Sequence, residues 1–128
     1  MAKIFTLEKD RLIHESHLVC TIPFDTIVHF KASVELTLFF TADGYCGIIK
    51  KRLGELLEMP GISIFGRHHH GGAVNLHYIE GTPFREADKS NWKIILKAEP
   101  FELEVSRRKF PEFKAVLFAF REENPLRK

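Results

Sequence analysis

From Val28 to Phe40 apolar and polar residues alternate. Val28, Phe30, Ala32, Val34, Leu36, Leu38 and Phe40 share one parity, with His29, Lys31, Ser33, Glu35 and Thr37 between them. Side chains of a strand point alternately to its two faces, so the run predicts one long β-strand with one face on the core; the alternative is a break into a hairpin near Lys31-Ala32-Ser33, where no turn residues sit. Ala42-Asp43-Gly44-Tyr45 closes it. The period then changes. Ile49, Leu53, Leu56 and Leu57 recur at helical spacing, which predicts a helix from Cys46 to Met59 with Asp43 near its cap and Pro60-Gly61 ending it.

Beyond the helix, Ile62–Phe65 and Val74–Ile79 flank Gly66-Arg67-His68-His69-His70-Gly71-Gly72. A Gly-Gly pair between two apolar runs predicts a hairpin, because both glycines can take the positive φ that tight primed turns require. With Gly71 and Gly72 as the loop, His70 opposes Ala73, His68 opposes Asn75 and Gly66 opposes His77. Directly opposed residues share a face, so His68, His70, Asn75 and His77 would lie together, with Phe65, Val74, Leu76 and Tyr78 on the other side.

Gly81-Thr82-Pro83 through Asn91 reads as a loop. Lys93–Ala98 alternates with Ile94, Leu96 and Ala98 inward, and the parity flips at Glu99-Pro100 to Phe101, Leu103 and Val105, as a bulge or turn would require. Phe113–Phe120 is apolar on both parities, which predicts a strand covered on both faces. Ile4–Glu8 and Leu12–Cys20 are weaker strand candidates. The order β-β-β-α-β-β-β-β defines an α+β chain, with one central helix packed on a strongly curved antiparallel sheet of about six or seven strands, hotdog-like or barrel-like. That arrangement resembles the hotdog architecture, in which a sheet wraps a helix, although no motif of hotdog dehydratases or thioesterases is present.

At 128 residues, 45% of them apolar and 12 of them phenylalanine, the chain has material for one core and reads as a single domain over 1–128. A net charge of +2 is small for a nucleic-acid binder, so the expectation is that nucleic acid is not a partner. No apolar run reaches the ~20 residues that span a bilayer, and the amino terminus lacks the order of a signal peptide. With two cysteines, Cys20 and Cys46, in no spaced framework, the expected home is the cytoplasm.

Three constellations could carry chemistry. His68, His70 and His77 on one sheet face could converge on a divalent metal, zinc or nickel, as neutral imidazoles do. Cys46 at a helix amino terminus would have a lowered pKa, and with His70 as base it would form a nucleophilic pair. Lys50, Lys51 and Arg52 stand at the amino end of the predicted helix, where the macrodipole disfavours them, which suggests that they hold a phosphate or carboxylate together with Arg67 and Asn75. Arg107-Arg108-Lys109 is a further basic triplet, suited to an anionic ligand or to protecting a sheet edge. The sole tryptophan, Trp92, reads as a core anchor.

The expectation is therefore a pocket protein that binds a small anionic ligand or a divalent metal through the histidine hairpin. The alternatives are a non-catalytic homo-oligomeric interaction module and a hotdog-like acyl or thioester enzyme. The two apolar faces of Phe113–Phe120 predict a homodimer.

Overall fold

The computed structural model describes residues 3–8, 11–14, 21–59, 61–88 and 90–124, with side chains described from residue 22 onward. Residues 15–20 of the Leu12–Cys20 strand candidate, Cys20 among them, lie outside the described residues. In chain order the elements are β1 (Lys3–Glu8), β2 (Arg11–His14), β3 (Thr21–Pro23), β4 (Ile27–Ser33), β5 (Leu36–Thr41), β6 (Cys46–Ile49), α1 (Leu53–Leu56), β7 (Phe65–His69), β8 (Gly72–Asn75), β9 (Ile79–Phe84), β10 (Trp92–Leu96), β11 (Glu102–Val105) and α2 (Phe110–Glu123). Eight strands form an open sheet in the order β3-β2-β1-β6-β5-β4-β8-β7, and β11-β10-β9 form a second sheet. All pairs are antiparallel except β1 with β6.

The predicted long strand folds back on itself. Ser33 pairs with Leu36, Phe30 with Phe39 and His29 with Phe40, so Val34 and Glu35 form a two-residue turn. Fold-back changes the sorting of side chains. Phe39 and Thr37 join Phe30 on the core side, whereas Leu38 and Phe40 turn to the face of His29 and Lys31. The alternation survives in each half, but its parity inverts at the turn.

Cys46–Met59 is not one helix. Its first four residues form β6, wedged between β5 and β1, and helix is confined to the single turn of α1, where Leu53 and Leu56 are buried. Asp43 caps no helix; its carboxylate accepts a hydrogen bond from Thr41 Oγ1 inside the β5–β6 turn.

Phe113–Phe120 is not a strand. It lies in α2, a 14-residue helix with Pro111 in its first turn, a position where proline's missing N–H costs nothing. Phe113 and Leu117 are fully buried, with Phe110 and Phe120 packed beside them, so the i, i+3, i+4 stripe is covered within the chain. The reason for expecting a dimer, an apolar strand with two uncovered faces, disappears with the strand.

Two cores result. Phe30, Phe39, Ile49, Phe65 and Ala73 on one face of the large sheet pack against Leu53, Leu56 and Ile62. Val28, Val74 and Leu76 on the other face pack against α2 and the small sheet through Ile94, Leu96, Val105, Phe113 and Leu117. Trp92 anchors the small sheet to α2 by stacking on Phe110 at 4.0 Å, with the rings 2° from parallel. Gly66 permits the close approach of α2, since a Cβ there would lie 2.9 Å from Leu76 Cδ2 and 3.2 Å from Phe113 Cε1. A sheet wrapping one central helix is thus replaced, among the described residues, by two sheets with a long helix, α2, at the carboxyl side.

Candidate functional site

The histidine hairpin forms, but in a different register. Phe65 pairs with Asn75, Gly66 with Val74 and Arg67 with Ala73, while His69 pairs with Gly72 across a bulge at His68. His70 and Gly71 are therefore the turn, and the extra residue shifts the parity of the incoming strand. Phe65 shares a core with Ala73, and Val74 falls on the opposite side of the sheet.

The three predicted metal ligands separate, His68 and His70 through this register and His77 because β8 ends at Asn75. His68 is buried, with Nδ1 2.8 Å from the Glu104 carbonyl. That oxygen can only accept, so Nδ1 carries the proton and donates. Burial holds the His68 pKa below its ordinary value, against the opposing pull of the Glu104 bond. His70 stands exposed at the turn, and His77 lies in the 3-10 turn Leu76–Tyr78, edge-on to Phe120 at 4.7 Å. Among the described residues, no three histidine, cysteine, aspartate or glutamate side chains are placed to hold a metal. The metal reading fails on this geometry.

The other predicted site residues also take distinct places. Asn75 is fully buried and structural. Its Nδ2 donates to the Ile27 carbonyl at 2.9 Å, and its Oδ1 accepts the His77 amide at 3.0 Å. Cys46 begins β6 and is exposed, so no helix dipole acts on it and no pairing with His70 is set up. Lys50, Lys51 and Arg52 link β6 to α1 rather than opening a long helix. The Lys51 carbonyl accepts Thr37 Oγ1 at 2.8 Å, and Arg52 pairs with Glu35 at 3.1 Å across exposed surface. Arg67 Nη2 donates to the His70 carbonyl at 2.6 Å and braces the turn from beneath.

What the structure does bring together is a set of turns at one end of the large sheet. The β4–β5 turn and the β7–β8 turn lie side by side, because Lys31 pairs with Gly72 and the Ala32 amide donates to the Gly71 carbonyl at 2.8 Å. The segment after β11 leaves from the same place, since the Ser106 amide donates to the His68 carbonyl at 2.9 Å. Lys31, Arg67, His69 and His70 thereby gather around the two turns, and Arg107, Arg108 and Lys109 follow the Ser106–His68 contact at the edge strand β7. His69 Nδ1 accepts the Gly71 amide at 3.0 Å, so the neutral ring carries its proton on Nε2 and presents a donor outward. Behind the turns, His29 stacks on Phe40 at 4.6 Å. Burial, with His68 and Lys31 nearby, lowers its pKa to about 4.

Lys31, His69 and the Arg107–Lys109 segment were missed as one site in the sequence. Their common signal is that each sits beside a chain reversal, and only the pairing of β4 with β8 shows that the reversals are neighbours. The small net charge also misled. A sum over the whole chain does not report where its charges sit, and so hides any local concentration.

A family model described as the LytTr DNA-binding domain matches residues 17–118. Among solved structures, the chain is similar to one titled LytTr DNA-binding domain of a putative methyl-accepting/DNA response regulator from Bacillus cereus, at 19% identity and a TM-score of 0.65. That alignment covers 91% of this chain and 97% of the other. No curated protein matches the chain. The family match overturns the expectations of a small-ligand or metal pocket, of an interaction module and of a hotdog enzyme, and it reverses the expectation that nucleic acid is not a partner. With 17–118 of the 128 residues matched, the chain belongs to the LytTR DNA-binding domain family.

Proposed function

We propose that this chain binds double-stranded DNA through the end of the large sheet that carries the β4–β5 and β7–β8 turns and the Arg107–Lys109 segment. The observation that carries the reading is the hydrogen-bonded convergence of these three segments, each with its own cations. Cations near phosphates release condensed counterions, which supplies most of the sequence-independent affinity. Lys31, Arg107, Arg108 and Lys109 suit that role as long, exposed or half-buried side chains. A two-stranded ribbon fits the major groove of B-DNA, where donors meet the N7 and O6 of guanine. His69 offers a donor of this kind, with its ring fixed by the Gly71 amide. The Arg67 bond to the His70 carbonyl holds the turn in shape, which limits the ordering lost on binding.

Fluorescence anisotropy with a random-sequence duplex pool, repeated from low to physiological salt, tests the reading. Binding that weakens linearly in log–log form with added salt, and weakens further in Lys31→Ala, supports it. Absence of binding to any duplex at low salt overturns it.

A further inference from the structure

We propose that Val34, resting on the DNA-binding reading above, is a specificity-determining residue that reads the C5-methyl of thymine in the major groove. Val34 is 94% exposed and sits at the outer tip of the β4–β5 turn, between the paired residues Ser33 and Leu36. Its φ is +52°, in the left-handed region. A β-branched residue there is a true outlier, and such strained positions cluster where function retains them. Asparagine or glycine would meet the same backbone at lower cost and would not place two methyl groups in water. At 94% exposure the side chain adds almost no burial to folding, which leaves its methyls free to meet a partner.

The surroundings say which partner. The tip is next to the His70-Gly71 turn through the Ala32–Gly71 hydrogen bond, so an apolar knob projects beside Lys31, His69 and His70. Glu35, the only acid in the turn, is tied back to Arg52 at 3.1 Å, which reduces its repulsion toward phosphate. An apolar tip beside the Lys31 ammonium and the imidazole of His69 fits a polyanion that carries apolar points. In the major groove of DNA the thymine methyl is that point. Side chains that wedge between base steps are typically longer, such as phenylalanine, leucine or methionine, whereas valine presents its methyls close to the backbone.

The test uses the full chain. A preferred duplex is selected from a random-sequence pool with the wild-type protein, and each thymine is then replaced singly by deoxyuridine, which removes only the methyl. One or two positions should lose roughly threefold to fivefold in affinity, the effect of one methyl withdrawn from a closed contact. Val34→Asn should bind the selected duplex more weakly, show no loss at those same positions, and melt at a higher temperature than wild type because the strain is relieved. A Val34→Asn protein that keeps the deoxyuridine effect, or a wild type with no sensitive thymine, overturns the role of Val34 while leaving DNA binding intact. Failure of the wild type to bind any duplex overturns both.

Discussion

Gly72 and His68 face each other so closely across the β7–β8 hairpin that a Cβ on residue 72 would lie 2.8 Å from His68 Nε2. The imidazole cannot swing away, because Nδ1 is bound to the Glu104 carbonyl and the ring is buried. Gly72→Ala should therefore destabilise the chain by about 1–3 kcal/mol, the usual cost of overpacking a closed site. Gly71→Ala, whose added methyl would meet nothing nearer than 3.7 Å, should stay within about 0.5 kcal/mol of wild type. Urea unfolding of the two variants checks the contrast.

Helix α2 gives a second contrast, between neighbours on opposite faces. Phe113 is buried against Gly66 and the second core, so Phe113→Ala should cost about 3–5 kcal/mol through lost burial and a residual cavity. Phe118 is 42% exposed, and Phe118→Asp should cost less than about 1 kcal/mol with the mass in solution unchanged. Thermal melts and light scattering measure both. A strand covered on both faces at Phe113–Phe120 would instead make both variants costly, with Phe118→Asp disrupting whatever covers the second face.

These residues also show where the sequence was legible. Alternation located β4 and β5, and the inward Ile94 and Leu96 are buried as their spacing implies. Alternation carries no mark of a turn whose tip is Val34 and Glu35, because the turn chemistry that normally signals a reversal is absent there. Phe113–Phe120 has apolar residues on every parity, so period two and period 3.6 both fit; Pro111 in the first helical turn was the unused signal. For the site, the presence of a hairpin near Gly71 was legible, but the bulge at His68 and the 3-10 turn that takes His77 out of the strand were not, and together they separate the histidines. Long-range pairing of β4 with β8, which assembles the basic end, leaves no local trace at all.

Acid should weaken this fold in a defined window. His29 and His68 are both held neutral, His29 by burial and by His68 and Lys31 beside it, and His68 chiefly by burial. The unfolded chain takes up these protons near the ordinary value of 6.5, whereas folded His29 takes its proton only near pH 4. Between those limits the unfolded state binds more protons, so stability falls as pH drops from about 6.5 toward 4 and changes little from this source above 7. His29→Phe, which keeps a ring against Phe40, should flatten that part of the profile. Unfolding free energies across the range measure it, and an unchanged slope in the variant would exclude His29 as the source.

The Arg107–Lys109 segment offers the most direct separation of electrostatics from recognition. Its start is fixed twice, by the Ser106 amide on the His68 carbonyl and by the Arg107 amide on Asn91 Oδ1 at 3.2 Å, so the exposed Arg107 and Arg108 side chains project from a stable base. If they face phosphates, Arg107→Ala and Arg108→Ala should each weaken binding to all duplexes by a similar factor, and each should reduce the slope of log affinity against log salt by about 1. Arg85 is the control. Its guanidinium lies 4.9 Å from the Trp92 ring centre and within 3.7 Å of Asp88, so its charge is already engaged by the second sheet. Arg85→Ala should lower stability modestly and leave the salt slope as it was. Equal slopes for all three variants would place the phosphate contacts elsewhere on the chain, whereas a change confined to Arg107 and Arg108 ties the end of β11 to the DNA backbone.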